Sequence, residues 1–206
     1  MKLTFKKGSI ENAPKGYVRI ALTEQPKGTK RFVHYSSGRA SERGGVETLE
    51  IGIGPEKLTE RQFIIICRTI VNAAKTNKCK RIAITLSDLT EARAQHAADN
   101  FEMANFESNH FKTVPAEGWQ CVEEILLYAK SSASIERAAK KGQVIAKAVN
   151  DCRVLANTPG GDITPTTLAR AAKEAVKGLP VKVTVLGKRE MQKLGMGAIL
   201  GGAKGS

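Results

Sequence analysis

Thr59-Glu60-Arg61-Gln62-Phe63-Ile64-Ile65-Ile66-Cys67, continuing as RTIVNAAKTN to Asn77 and then as Lys80-Arg81-Ile82-Ala83-Ile84-Thr85-Leu86, is the stretch that decides the fold. A threonine and a glutamine three apart, ahead of an apolar run, can each satisfy a backbone donor that the first helical turn leaves orphaned. A helix is therefore expected to start at Thr59. Phe63, Ile66, Ile70 and Ala73/Ala74 recur at helical spacing and give it one apolar face as far as Asn77. The β-branched run at 80–86 reads as a short strand.

The same alternation extends outward on both sides. Residues 2–6, 17–23 and 46–53 alternate apolar and polar side chains, as half-buried strands do, and Gly54-Pro55 breaks the last of them. Residues 25–45, rich in Gly, Ser, Lys and Arg, read as a long mobile loop containing His34. Asp88 with Glu91 is expected to open a helix from 89 to about 106, carrying Ala92, Ala97, Phe101 and Ala104/Asn105 inward. A polar loop at 108–119 leads to a strand at 122–128. Five strands alternating with two long helices imply a mixed sheet with helices on both faces. The expected fold class is thus α/β, with residues 1–130 forming a three-layer α/β/α domain.

Residues 131–156 read as a connector helix capped by Ser132 or Ser134, with Ile145, Val149, Cys152 and Ala156 along one face. Residues 157–206 read as the start of a second α/β domain. Asn157-Thr158-Pro159-Gly160-Gly161-Asp162-Ile163-Thr164-Pro165 is the densest turn signal in the chain. It supplies a helix stop, a tight turn and a helix start with Thr164 at the cap and Pro165 at the first position. Leu168, Ala171/Ala172 and Val176 are expected to face inward, and Gly178 and Pro180 to end that helix. A strand at 181–186 and a short helix at 188–194, closed by Gly195, follow. Nothing after them would cover the strand, so the chain is expected to be the front part of a longer protein.

Composition narrows the class. Of 206 residues, 41% are hydrophobic and 26% charged, which suits an ordinary globular chain. The longest apolar run, 63–67, is far too short to span a membrane, and the basic N-terminus lacks the apolar stretch of a signal peptide. Cys67, Cys79, Cys121 and Cys152 lie far apart without a Cys-x-x-Cys, the pattern of reduced, mostly buried thiols in a cytoplasmic protein. The net charge is +13, and residues 1–45 carry ten Lys/Arg against three acids. That excess is compatible with DNA, and a basic DNA-binding or regulatory module is the alternative reading of the chain. Against it, the charges are dispersed and few aromatics interleave with them as stacking platforms.

No complete catalytic constellation emerges. His34, His96 and His110 share no ligand spacing with one another or with an acid. Glu123 and Glu124 are adjacent on a strand and point to opposite faces. The serines show no nucleophile elbow. Gly52-Ile53-Gly54-Pro55 lacks the third glycine of a dinucleotide fingerprint, and Gly201-Gly202-Ala203-Lys204-Gly205-Ser206 has its lysine in the wrong order for a phosphate loop.

The later segments carry a family resemblance. The run Gly142 to Pro159, with Asn150, Arg153, Asn157 and Pro159, then Thr164-Pro165-Thr166-Thr167-Leu168-Ala169, then 183–186, then Leu194-Gly195-Met196-Gly197-Ala198 and finally Lys204-Gly205-Ser206, resembles the opening of the catalytic domain of leucine aminopeptidases, also called cytosol aminopeptidases. Met103-Ala104-Asn105-Phe106, His110-Phe111-Lys112 and the helix from Thr59 resemble the family's N-terminal domain. Val154 stands where the family has an acid, and Gly161 where it often has Asn. The resemblance implies a dinuclear metalloexopeptidase using two divalent ions, zinc or manganese, to release N-terminal amino acids from peptide substrates. It also implies a homo-hexamer in the cytoplasm with no membrane partner. The family's metal and catalytic motifs lie downstream of Ser206. No catalytic or metal residue is therefore expected within this chain, and residues 1–206 alone are expected to be inactive and to bind neither metal.

Overall fold

The computed structural model describes residues 1–25, 33–36, 47–53 and 58–205. Two compact units are present, Met1–Val154 and Leu155–Ser206.

The first unit is built on a six-stranded sheet. Its strands are β1 (Lys2–Lys6), β2 (Val18–Glu24), β3 (Val33–Ser36), β4 (Thr48–Ile53), β5 (Arg81–Thr85) and β6 (Glu124–Tyr128). They lie in the order β1-β6-β5-β2-β4-β3. All pairs are parallel except β3 with β4, so the sheet is mixed, as the alternating pattern implies. Helices α1 (Glu60–Thr76) and α2 (Glu91–Asn105), with the first turns of α3 (Ala133–Asn157), cover one face. There Phe63, Ile66, Ile70 and Ala74 of α1 meet Leu49, Ile51, Ile82, Ile84, Ile125 and Leu127 of the sheet. The opposite layer is thin among the described residues. Ile10, in a 3-10 turn at Ile10–Asn12, and Ala13 and Tyr17 pack over Ala83, Leu126 and Tyr128.

Several sequence expectations hold in detail. The capping box at the start of α1 is formed: the Gln62 amide donates to the Thr59 hydroxyl, and the Thr59 amide to the Gln62 side chain at 2.9 Å. Others need correction. The loop expected at 25–45 contains β3, with His34 opposite Glu50 in the ladder; 26–32 and 37–46 lie outside the described residues, as does the Gly54-Pro55 break. Four residues inside a Gly/Ser/Lys-rich stretch give too short an alternation to read without a partner strand. Helix α2 is capped by Thr90, whose hydroxyl accepts from the Arg93 amide, rather than by Asp88, which adopts φ +53°. Ala94, Ala97, Ala98 and Phe101 face inward, and Ala92 is exposed. On α3 the buried residues are Ala139, Gly142 and Ala146; the face expected to be apolar, with Ile145 and Val149, is exposed, and Cys152 is exposed too.

The second unit holds α4 (Pro165–Ala175), α5 (Lys188–Lys193), α6 (Gly197–Gly202) and a 3-10 turn at Ala203–Gly205. The strand expected at 181–186 is not one: the segment has no ladder partner among the described residues. Alternation specifies a strand only where a neighbour takes up its backbone groups. Leu168, expected to be inward, is 48% exposed.

Candidate functional site

The family-motif residues fall into three places. The first is the junction of α2 and α3. A Cβ built on Gly142 would collide with the Gln95 carbonyl oxygen and lie 3.2 Å from the Asp99 amide nitrogen, so only glycine lets the two helices approach this closely. Ala139 and Ala146, one turn to either side, complete a stripe of small residues along the contact.

Two turns further along, Asn150 and Arg153 reach the end of α2. The last four carbonyls of a helix lack intrahelical partners. The Asn150 side-chain amide donates to the Glu102 carbonyl at 3.3 Å, and the Arg153 guanidinium to the Met103 carbonyl at 2.8 Å. Arg153 also donates to the Asn150 side-chain oxygen at 3.2 Å and lies over the Phe106 ring, 5.1 Å from its centre. A cation at this position also suits the negative end of the α2 dipole. The N-terminal amine of Met1 sits 3.6 Å from the Glu102 carboxylate beside the same helix end.

The second place is the turn into α4. Asn157 is the last residue of α3, and the Pro159 carbonyl accepts from the Asp162 and Ile163 amides at 2.9 and 3.0 Å. Thr164 caps α4 with Pro165 at its first position. The Thr164 amide donates to the Thr167 hydroxyl at 2.7 Å, and the Thr167 amide back to Thr164 at 3.3 Å. The Thr167 hydroxyl also contacts the Asp162 carbonyl at 3.0 Å, tying turn to helix. A groove of about 480 Å³ runs along α4 between Pro165, Ala169, Arg170 and Lys173 and the segment bearing Val185 and Leu186.

The third place is the glycine-rich end. Gly195 takes φ +66°, a left-handed turn after α5, and its amide donates to the Gln192 carbonyl at 3.1 Å. The Met196 amide donates to the Met191 carbonyl, Gly197 begins α6, and Gly205 ends the last 3-10 turn. Ser206 lies outside the described residues.

Among the described residues, titratable groups do not converge on one site. On α2, His96 Nδ1 lies 3.8 Å from the Asp99 carboxylate, which also accepts from the Asn100 side-chain amide at 2.5 Å; Arg68 in turn donates to Asn100 at 2.6 Å. Burial pushes the Asp99 carboxyl above the usual range, with His96 and Asn100 opposing it. Burial pushes Cys67 far up and Cys79 up to about 11, where the Glu47 charge adds to it, so neither thiol is a nucleophile. His110 stacks edge-on against Phe111, and His34 sits in β3. Glu123 pairs with Lys80 at 3.2 Å, whereas Glu124 accepts from the Tyr17 hydroxyl at 2.6 Å and pairs with Lys2 at 2.9 Å. Among the described residues, no three His, Cys, Asp or Glu side chains lie together as a metal site would require. The described residues therefore do not fit a dinuclear centre, and no reaction step follows through one. Reading the sequence alone names Asn150 and Arg153 as motif positions but not as partners of α2, since both contacts join residues about fifty apart.

Residues 150–206 match the catalytic domain of the cytosol aminopeptidase family. A probable cytosol aminopeptidase of Trichodesmium erythraeum is 30% identical over 195 residues, covering 90% of this chain and 38% of that protein. One from Nitrosomonas europaea is 29% identical over 221 residues, covering all of this chain and 43% of its own length. Among solved structures, a mutant tomato leucine aminopeptidase superposes with a TM-score of 0.77 at 15% identity, over 94% of this chain and 46% of that one. The bottromycin maturation enzyme BotP, in complex with Mn, superposes at 0.58 and 18% identity, over 77% and 36%. At these identities the two structures speak for the fold. No helix among the described residues is long and apolar enough to cross a membrane. The chain spans about two fifths of the length of the curated relatives it matches, and it belongs to the cytosol aminopeptidase family.

Proposed function

We propose that this chain forms the N-terminal α/β domain, the connector helix and the first part of the catalytic domain of a metal-dependent leucyl aminopeptidase. The domain limits are those expected from the sequence: 1–130, 131–156 and 157–206. The observation that carries this reading is the match of residues 150–206 to the family's catalytic domain, in line with an N-terminal domain of matching fold. Releasing N-terminal residues from peptides would fall to catalytic-domain segments that the relatives possess and these residues do not include. The described side chains hold no ligand set for paired ions, and the Mn of the BotP complex is what favours a divalent metal in the complete enzyme. Manganese or zinc both suit this reading, as does a cytoplasmic homo-hexamer. In this reading Asn150 and Arg153 have a structural task, fixing the connector helix to the end of α2.

The test is turnover of L-leucine p-nitroanilide. The full-length gene product, supplied with Mn²⁺ or Zn²⁺, is expected to hydrolyse it and to lose activity to a chelator. Residues 1–206 alone are expected to show no turnover under either metal. A full-length product inert toward a panel of aminoacyl reporters, or an active 206-residue chain, would overturn the proposal.

A further inference from the structure

Strand β1 is the end strand of the sheet, and no strand lies beyond it among the described residues. Its ladder with β6 uses alternate residues: the Lys2 amide donates to the Glu123 carbonyl at 2.9 Å, and the Lys6 carbonyl accepts from the Ala129 amide at 3.4 Å. In a parallel pair both backbone groups of a bonded residue point to the same neighbour, and successive residues point to opposite sides. The amides and carbonyls of Leu3 and Phe5 therefore point out of the sheet, free to pair with another strand.

A groove of about 540 Å³ runs beside this edge, between Leu3 and Phe5 of β1 and Arg137, Ala139, Lys140 and Gln143 of α3. Its floor is apolar: Leu3 and Phe5 are half-buried and Ala139 is 2% exposed. Its rim is basic. Arg137 and Lys140 stand one turn apart, both exposed, and neither has an ion-pair partner among the described residues. Glu136 also lines the groove and accepts from the Ser131 hydroxyl at 3.0 Å. Edge strands are commonly guarded by lysine, but Lys2 and Lys6 leave the other face of β1, where Lys2 pairs with Glu124, so the groove stays open.

We infer that the β1–α3 groove is a docking site for an extended acidic peptide segment, which adds to the sheet as a seventh strand. Main-chain bonds to Leu3 and Phe5 hold such a segment, small apolar side chains at every second position meet the floor, and intervening carboxylates meet Arg137 and Lys140. Charge selects this occupant over a second copy of the chain. Two copies joined through β1 bring identical basic rims together, and like charges across an interface are costly. The inference concerns binding alone and does not rest on the aminopeptidase reading.

The probe is a fluorescein-labelled acetyl-Asp-Val-Glu-Val-Asp-Val-Glu-amide, blocked at its N-terminus so that it cannot be an aminopeptidase substrate. Saturable anisotropy is expected with the 206-residue chain at low salt, and none with a Lys-Val counterpart. Reversing the rim in R137E/K140E should weaken binding by about tenfold or more. L3P removes an outward amide without costing a ladder bond, and should weaken binding comparably while leaving the thermal midpoint within a few degrees. Saturation should also slow hydrogen exchange at Leu3 and Phe5. Unchanged affinity in R137E/K140E, or binding without protection of those two amides, would overturn the site. Protection that rises with protein concentration alone would assign the edge to a second copy and overturn the acidic-peptide reading.

Discussion

Residues Met1–Val154 and Leu155–Ser206 are two ways of satisfying the same local rules. In the first, Leu49, Ile70, Ile82, Ile84, Ile125 and Leu127 are completely enclosed. In the second, no described residue is buried, and Val181, Leu194 and Ile199 are each more than half exposed. Yet the second unit has equally good punctuation: a formed capping box at Thr164 and a left-handed Gly195. The difference teaches that caps and turns choose where helices begin and end, while stability comes from a face that finds cover. Fully enclosing an aliphatic side chain contributes about 1.5–3 kcal/mol, a sizeable share of the roughly 5–15 kcal/mol by which a domain is stable.

The largest effect should separate the units most sharply. Ile70→Ala empties a site beneath the sheet and should cost about 2–5 kcal/mol, whereas Ile199→Ala, already in water, should cost less than about 0.5 kcal/mol. Urea unfolding read by the fluorescence of Trp119, the chain's only tryptophan and part of the first unit, reports the first value. Exchange or chemical shifts of the α6 amides report the second. Equal costs would break the comparison. Next comes Gly142→Ala, which places a methyl against the backbone of α2 and should destabilise the first unit by about 1–3 kcal/mol, with exchange at 133–146 accelerated most. A neutral or stabilising result would mean that α3 is held by something other than this contact.

The smallest effect is a pH dependence. Hydrogen bonds from Tyr17 and Lys2, in that order, hold the Glu124 carboxyl below its ordinary value of 4.5. A carboxylate with a lowered folded-state pKa contributes stability above its unfolded pKa and loses it as pH falls through the folded one. The first unit should therefore lose stability below about pH 4.5, and Glu124→Gln should flatten that acid limb while leaving the region from pH 6 to 8 parallel to the wild type. An acid limb of unchanged slope would show that the Tyr17–Glu124–Lys2 arrangement does not feel the fold.

What the sequence disclosed follows the same division between local and non-local causes. The box at Thr59 and the cap at Thr164 were legible because each is complete within four residues. The face of α1 was legible because Phe63, Ile66 and Ile70 are large enough to mark the helical period. The contact face of α3 was not, since Ala139, Gly142 and Ala146 are small and the larger Ile145 and Val149 on another face outweigh them. Strand β3 and the segment at 181–186 are a matched pair of errors. Val33–Ser36 is a strand because β4 lies beside it, and 181–186 alternates better but has no neighbouring strand among the described residues. The motif residues Asn150 and Arg153 were found by resemblance, while their task at the end of α2 depends on a contact made across about fifty residues of chain.

Hydrogen exchange in the monomeric 206-residue chain tests the contrast between the units most directly. Amides of 82–85, within a sheet flanked by β2 and β6, should exchange on the order of a thousandfold more slowly than those of 182–186, which have no ladder partner among the described residues. Equal protection of the two segments would contradict the account, because it would mean that 181–186 has found a partner surface within this chain and that the second unit has a core of its own.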